Sequence, residues 1–374
     1  MIFIEDLKKI LKKNKIYFFT GVPDSVLKPL TPIFEENTKN HILATNEGSA
    51  TAIAAGHYLS TKKIACVYLQ NSGLSNAINP LVSISHSKVY SIPMLILIGW
   101  RGAPRIKDEP QHMVKGQITK KLLNLLDIKY CIIKSKKDLT KLNNLIKFSE
   151  KNSKPVACLI DNKTLKSKKF YQIKLKNISS LKRIDILKEI VGNCKPNTNI
   201  IATTGFTSRE LMHIRNDKKY KKNGNDFYMV GGMGHSNSLS LGVSLFTKKP
   251  TLCIDGDGSL LMHLGSIITS GIFGKNNFKH ILLNNNSHES VGGQSTNAIK
   301  INFEKLSQSV GYKKFFLIKN KKNLSKKLKF FFKVKGPAFM EIKIKIGSIK
   351  NLMRAKNLIN IKNKFMSNIE KSRK

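Results

Sequence analysis

Acidic residues are scarce in this chain: 23 Asp and Glu stand against 66 Lys and Arg, a formal net charge of +43 over 374 residues. Long apolar runs are missing too, and none approaches the roughly 18 residues that a membrane helix needs. No membrane-spanning segment is therefore predicted. The stretch from Met1 to Lys15 mixes Ile, Leu and Phe with Lys8, Lys9, Lys12 and Lys13. It lacks the uninterrupted apolar core and small-residue cleavage site of a signal peptide, and reads as an amphipathic helix. The five cysteines, Cys66, Cys131, Cys158, Cys194 and Cys253, show no metal-ligand spacing. Buried reduced thiols are the simplest account of them. The expected compartment is the cytoplasm.

A basic excess of this size suggests nucleic acid or an anionic membrane as partner. Yet the lysines are spread along the whole chain, with no RNA-binding motif and no basic patch interleaved with aromatics. Asn and Ile are abundant as well, and Lys, Asn and Ile all have A/T-rich codons. Compositional drift accounts for all three. The expectation is therefore no specific nucleic acid and no membrane partner, with a positive field that favours a small anionic substrate. The rival reading is a basic nucleic-acid-binding protein on a decayed enzyme fold.

At this length, with 41% hydrophobic residues, two domains of ordinary size fit the chain. Short β-branched runs alternate with helical stretches, the pattern of βαβ units and parallel sheets. Strands are predicted near Phe18, His41–Ala44, Ile64–Tyr68, Met94–Ile98, Lys129–Ile132 and Val156–Ile160. Helices are predicted from Ser25 and over Gly48–Leu59. The lysine-rich residues 166–182 read as a linker. The pattern then restarts, with strands at Ile200–Ala202, Thr251–Ile254, Ile281–Leu283 and Ala338–Ile344. Helices are predicted over Arg183–Asn193, from Ser208 and after Gly258. The fold class is α/β, two doubly wound parallel-sheet domains at 1–165 and 183–350, followed by a basic, partly disordered tail at 351–374.

Two strand ends carry one constellation. Gly256-Asp257-Gly258 follows the run Thr251–Ile254, and Asn285 comes twenty-eight residues after Asp257, just past Ile281–Leu283. A carboxylate and an amide oxygen at neighbouring strand ends can share a small hard cation. Mg²⁺ suits such a pair because it keeps places open for substrate phosphates. The glycines beside Asp257 let backbone approach a diphosphate closely.

This spacing resembles that of thiamine-diphosphate enzymes. The resemblance narrows to phosphonopyruvate decarboxylases through Phe19-Thr20-Gly21-Val22-Pro23-Asp24-Ser25, Gln70-Asn71-Ser72-Gly73-Leu74 and Gly99-Trp100-Arg101-Gly102. Lys107-Asp108-Glu109-Pro110-Gln111-His112, Thr203-Thr204-Gly205, Gly231 to His235 and Glu289-Ser290 with Gly292-Gly293-Gln294 extend it. It covers the chain from about Phe18 to Glu341, and sulfopyruvate decarboxylases share the plan. The implied fold is a pyrimidine-binding domain followed by a diphosphate-binding domain. The implied cofactors are thiamine diphosphate and Mg²⁺, and the implied assembly is a homodimer or higher homo-oligomer with shared active sites. The implied reaction converts 3-phosphonopyruvate to phosphonoacetaldehyde and CO₂ in phosphonate biosynthesis.

The resemblance also assigns roles. Glu47, in Ala44-Thr45-Asn46-Glu47-Gly48, stands where these enzymes keep the carboxylate that activates the thiamine ring. Asp257, Asn285 and the carbonyl of Ser287 would hold Mg²⁺. Thr204, Gly205, Gly232, Gly256 and Gly258 would contact the diphosphate. Met233, 24 residues before Asp257, would wedge the cofactor into its bent shape. His112 is the candidate general acid, with an ordinary pKa near 6.5, and Asp24 a second proton relay. His235 and His288 are weaker candidates. The phosphonate needs cationic or neutral donors, for which Ser25, Asn71, Arg101, Lys107 and Gln111 are in place. Arg105 belongs with the general basic excess. The sequence departs from the family at Asn284, where Asp is expected, and at Asn286, where Gly is. After Gly347-Ser348 the expected Arg, Asp and Gly are Ile349, Asn351 and Met353, although Arg354 remains.

Overall fold

The computed structural model describes residues 1–35, 38–167, 175–221 and 223–370. The chain separates into two compact units, Met1–Ile173 and Lys174–Lys374. In the first unit the strands are β1 (Ile2–Phe3), β2 (Phe19–Gly21), β3 (His41–Leu43), β4 (Ala65–Gln70), β5 (Met94–Trp100), β6 (Lys129–Ile133), β7 (Val156–Asp161) and β8 (Leu165–Lys166). Six of them form one sheet in the order β3-β2-β4-β5-β7-β6, with every neighbouring pair parallel. β1 and β8 pair separately, Ile2 opposite Leu165. The second unit holds β9 (Asn199–Ala202), β10 (Asn225–Tyr228), β11 (Thr251–Gly256), β12 (Phe278–Asn284), β13 (Lys314–Ile318) and β14 (Ala338–Lys343). Their order, β10-β9-β11-β12-β14-β13, repeats that of the first sheet strand for strand.

A parallel sheet covered on both faces needs continuous apolar strands. β5 meets this with Met94, Leu95, Ile96, Leu97 and Ile98, all buried. Alternate residues serve opposite faces: Cys66 and Tyr68 of β4 join one core, and Ala65, Val67 and Leu69 the other. In the second unit Leu252 and Ile254 face one core and Cys253 the other. Each fully buried aliphatic side chain is worth about 1.5–3 kcal/mol.

Strand order places the functional loops. In each sheet the chain leaves its first strand in opposite directions, so the crevice opens at the carboxyl ends of β2 and β4, and of β9 and β11. Ligands bind at such switch points.

Several local expectations change. No helix starts at Ser25. Asp24 Oδ2 instead accepts the N–H groups of Val26 (2.7 Å) and Leu27 (2.8 Å), closing a turn. The α-helix begins only at Thr31, after the short 3₁₀ turn Lys28–Leu30 that contains Pro29. Strands β10 and β13 are absent from the sequence expectation. Both are edge strands, and β10 (Asn225-Asp226-Phe227-Tyr228) is half polar.

Of the expected linker, residues 168–174 lie outside the described residues. Its later part packs onto the second unit: Asn177 Oδ1 accepts from Ile346 N at 3.0 Å, and Leu181 O from Lys345 N at 2.6 Å. The expected tail contains a helix, Leu358–Glu370, whose Phe365 is buried edge-on against Phe227 at 5.5 Å. Asn225 Nδ2 donates to Phe365 O at 2.9 Å. Residues 371–374 lie outside the described residues. Phe365→Ala should destabilise the protein by about 3 kcal/mol, the lower range for a buried Phe truncation, measured by urea unfolding followed by circular dichroism.

Candidate active site

In the first unit the site grows from the carboxyl ends of β2, β3, β4 and β5. Asn46 caps the helix Glu47–Thr61 by accepting from Ser49 N at 2.8 Å, which places Glu47 in the first turn. Its carboxylate is 4% exposed and accepts from Asn76 Nδ2 at 2.8 Å. Burial pushes the Glu47 carboxyl above its ordinary value, and the Asn76 bond offsets this only in part. Among the described residues no lysine or arginine pairs with it. Gly73 leaves the space: a Cβ there would overlap the Glu47 carboxylate.

Asp24 lies at the same switch point. Besides the two backbone donors, its Oδ1 accepts from Gln70 Nε2 at 2.6 Å, and Gln70 Oε1 accepts from Ser72 Oγ at 2.8 Å. Burial raises the Asp24 carboxyl against these three bonds. Gly99 is the matching space-maker here, since its Cβ would overlap Asp24.

The Arg101 loop is braced by an ion pair that the sequence analysis did not assign. Arg101 grips Asp108 with two bonds, Nε to Oδ2 at 2.6 Å and Nη2 to Oδ1 at 2.5 Å, and its Nη1 donates to Ser25 Oγ at 3.2 Å. Burial would raise the Asp108 carboxyl, but Arg101 and the N–H groups of Glu109 and Gly102 hold it well below the carboxylate range. Arg101 therefore offers hydrogen bonds rather than net charge. Lys107 is exposed.

The amide of Asn71 is occupied as well. Its Nδ2 donates to Arg101 O (2.9 Å) and Thr119 Oγ1 (3.0 Å), and its Oδ1 accepts from Arg101 N at 3.1 Å. This corrects the expectation of a donor held ready for substrate: Asn71 shapes the loop instead. Gln111 and His112 sit half-buried in the first turn of the helix Pro110–Leu125. Gly102 and Gly116 let the loop lie against that helix, for a Cβ on Gly102 would strike the His112 carbonyl. Trp100 Nε1 closes the contact on Gly116 O at 3.1 Å.

In the second unit, Asp257 follows β11 directly and is 3% exposed. Burial raises its carboxyl to about 6, against the Thr296 hydroxyl and the backbone N–H groups of Asn285 and Gly258. Asp257 and Asn285 are thus brought together as expected from adjacent strand ends. The pair β11–β12 sets this register, with Gly256 opposite Leu283. Asn285 Oδ1 accepts from Ser287 N at 3.0 Å, and Ser287 is buried.

Met233 and Gly258 also meet: a Cβ on Gly258 would lie 3.4 Å from Met233 Cε and 2.9 Å from His288 Nδ1. Burial lowers His288 to about 4, so it is neutral near pH 7. Gly205 (φ +92°) precedes the helix Phe206–Ile214, with Thr204 before it, and Gly232 has φ +65°. Ser259, which the sequence analysis missed, ties together the loops after β9, β10 and β11. It accepts from Gly234 N at 3.0 Å and bonds Thr203 Oγ1 at 2.9 Å. Its only signal was its place directly after Gly256-Asp257-Gly258. An acidic oxygen, an amide and adjacent glycine backbone make a donor set that fits a hard cation and a diphosphate.

The departures at Asn284 and Asn286 have physical reasons. Asn284 Nδ2 donates to Glu341 Oε1 at 2.7 Å inside the core, where an Asp would set two carboxylates face to face. Asn286 takes φ +57°, a left-handed conformation that Asn tolerates, and its Oδ1 accepts from Ile299 N at 3.2 Å. The cysteines gave no metal spacing in sequence, yet the fold brings Cys253, Asp255 and His280 together, their ligand atoms within 4.8 Å of one another and all buried.

The N-terminal TPP binding domain of thiamine pyrophosphate enzymes matches residues 2–123, and the C-terminal TPP binding domain matches 203–342. A phosphonopyruvate decarboxylase of Streptomyces viridochromogenes is 32% identical over 90% of this chain and 87% of its own. The chain belongs to the phosphonopyruvate decarboxylase family of thiamine pyrophosphate enzymes. A sulfopyruvate decarboxylase of Methanosarcina acetivorans is 27% identical over 92% of each chain. The sulfopyruvate decarboxylase subunit alpha of Methanocaldococcus jannaschii is 38% identical over 40% of this chain and 88% of its own. In this family member no helix among the described residues is long and apolar enough to cross a membrane.

The raised Glu47 carboxyl makes a signed prediction. Because folding favours its protonated form, that contribution to stability is present below its ordinary pKa of 4.5 and is lost as pH rises through the raised folded value. Glu47→Gln should therefore stabilise the cofactor-free protein more at pH 8 than at pH 4.5. Paired urea titrations check this, and a gain that does not grow with pH would show that the carboxylate is not desolvated.

Proposed function

We propose that this chain decarboxylates a small anionic 2-oxo acid, converting 3-phosphonopyruvate to phosphonoacetaldehyde and CO₂ in phosphonate biosynthesis. The observation that carries the reading is the Glu47 carboxylate, buried at a switch point without a cationic partner among the described residues. Such a group is costly unless a ligand shares its proton. Thiamine diphosphate, when bound, supplies the electron sink for loss of CO₂. Glu47 would hold a proton against the aminopyrimidine ring. Asp257, Asn285 and the Ser287 carbonyl would hold Mg²⁺ for the diphosphate, with Thr204, Gly205, Gly232, Gly256 and Gly258 around it and Met233 as the wedge.

His112 would supply the proton that replaces CO₂ on the substrate carbon, with Asp24 as relay, so that each turnover consumes one proton. Ser25, Arg101 and Gln111 would donate hydrogen bonds to the substrate. Lys107 would supply the charge that Arg101, neutralised by Asp108, does not. The protein would act in the cytoplasm as a homodimer or larger homo-oligomer with shared sites. An apolar face supports association: Ile268, Ile272 and Phe273 are exposed along the helix Ser266–Phe273.

The test is CO₂ and aldehyde release from phosphonopyruvate and sulfopyruvate, side by side, with thiamine diphosphate and Mg²⁺ and Glu47→Gln as blank. Phosphonopyruvate should turn over and the blank should not. Sulfopyruvate turnover alone would move the chain to the sulfonate pathway. Salt-sensitive nucleic-acid binding with no turnover of either would favour the decayed-enzyme reading. Lys107→Met should raise KM for phosphonopyruvate by about tenfold or more, the range of a lost charge-assisted bond, with a smaller effect on sulfopyruvate. Gly73→Ala should cost as much turnover as Glu47→Gln, because it displaces the same carboxylate.

A further inference from the structure

The loop that carries Asn285 is fastened by a buried ion cluster to which the proposed chemistry gives no task. Arg183, at the start of the helix Arg183–Asn193 and 5% exposed, donates to Glu289 Oε2 at 2.5 Å and faces Glu210 Oε1 at 3.6 Å. Glu289 Oε2 also accepts from Asn285 Nδ2 at 2.9 Å, and its Oε1 from Gly347 N at 2.7 Å. Glu210 Oε1 accepts from Ile349 N at 3.2 Å. One cluster thus grips both the Asn285 loop and the segment that follows β14.

The chemistry of this contact fixes the orientation of an amide. A carboxylate only accepts, so the Asn285 atom that faces Glu289 is its NH₂. The carbonyl oxygen is left on the opposite side, where the Ser287 N–H also points. We propose that Glu289 is a positioning residue for the cation site. It locks the Asn285 amide with its oxygen available as a ligand, and Arg183 holds Glu289 in turn. This rests on the reading of Asp257 and Asn285 as the Mg²⁺ ligands. Without Glu289 only the Ser287 N–H still holds the amide, and turning it over would aim its hydrogens at the cation. Groups that orient a ligand in this way change metal affinity by about 10–100-fold when removed. The fold should tolerate the loss, because Arg183 keeps Glu210 as partner and no buried charge is left unpaired.

The experiment uses the full chain with thiamine diphosphate and Mn²⁺ as probe, counting free Mn²⁺ by electron paramagnetic resonance. Glu289→Ala should weaken Mn²⁺ binding by about 10–100-fold while the unfolding midpoint of the cofactor-free protein changes little. Glu289→Gln, whose side-chain oxygen can still accept from Asn285, should keep most of the affinity. Wild-type Mn²⁺ affinity in Glu289→Ala would overturn the proposal. So would an equal loss in both variants that tracks a fall in the unfolding midpoint, the mark of a merely structural tie. Asp257→Ala separates the two levels. If that variant binds Mn²⁺ like wild type, the cation-site reading itself fails and takes the inference with it.

Discussion

A carboxylate taken out of water at the end of a parallel strand is costly to hold, and each half of this chain is arranged around one. Glu47 has one amide donor, and Asp257 a hydroxyl and backbone N–H groups. Neither has a lysine or arginine partner among the described residues. Desolvation therefore raises both carboxyls. An arginine would remove the cost, as Arg215 does for Asp226 with bonds of 2.6 Å. It would also remove the capacity to hold a proton or a cation. The two sites keep the tension that the purely structural pair has lost.

Topology explains why both tensions sit beyond the carboxyl ends of strands, Glu47 after β3 and Asp257 after β11. The two sheets share one strand order, so both crevices open between the first strand and the strand paired on its far side. Loops crowd there, and glycine decides whether they fit. Gly73 makes room for Glu47, Gly99 for Asp24, and Gly258 admits both His288 and Met233. These glycines serve space more than flexibility, since none of the three has a positive φ. A methyl group at Gly73 would meet the Glu47 side chain first.

The parts of the fold legible in sequence were those written in local pattern. Buried strands such as β5 and β12 read directly as apolar runs, and Gly256-Asp257-Gly258 with Asn285 read as one constellation because strand ends are local. What could not be read were contacts that form only when a loop folds back or distant segments meet. Asp108 shows its grip on Arg101 only when the loop folds back, and Glu289 meets Arg183 across 106 residues. Asn71 looked like a donor for substrate because nothing local reveals that Thr119, 48 residues on, uses its amide. Edge strand β10 escaped because its stability is tertiary: Asn225 and Phe227 are covered by the helix at Leu358–Glu370.

The same division between surface and interior accounts for the charge. Of the scarce acidic residues, Asp24, Glu47, Glu210, Asp255, Asp257 and Glu341 are buried, and each meets a specific neighbour or donor. Lysine suits a solvated surface but not these positions, where an ammonium would be both desolvated and misplaced. The net charge of +43 is thus a property of the outside. Its reach into the crevices is short, because salt screens exposed charges beyond about 8 Å at physiological ionic strength. Discrimination among anions must then come from groups at the sites themselves rather than from the surface cations.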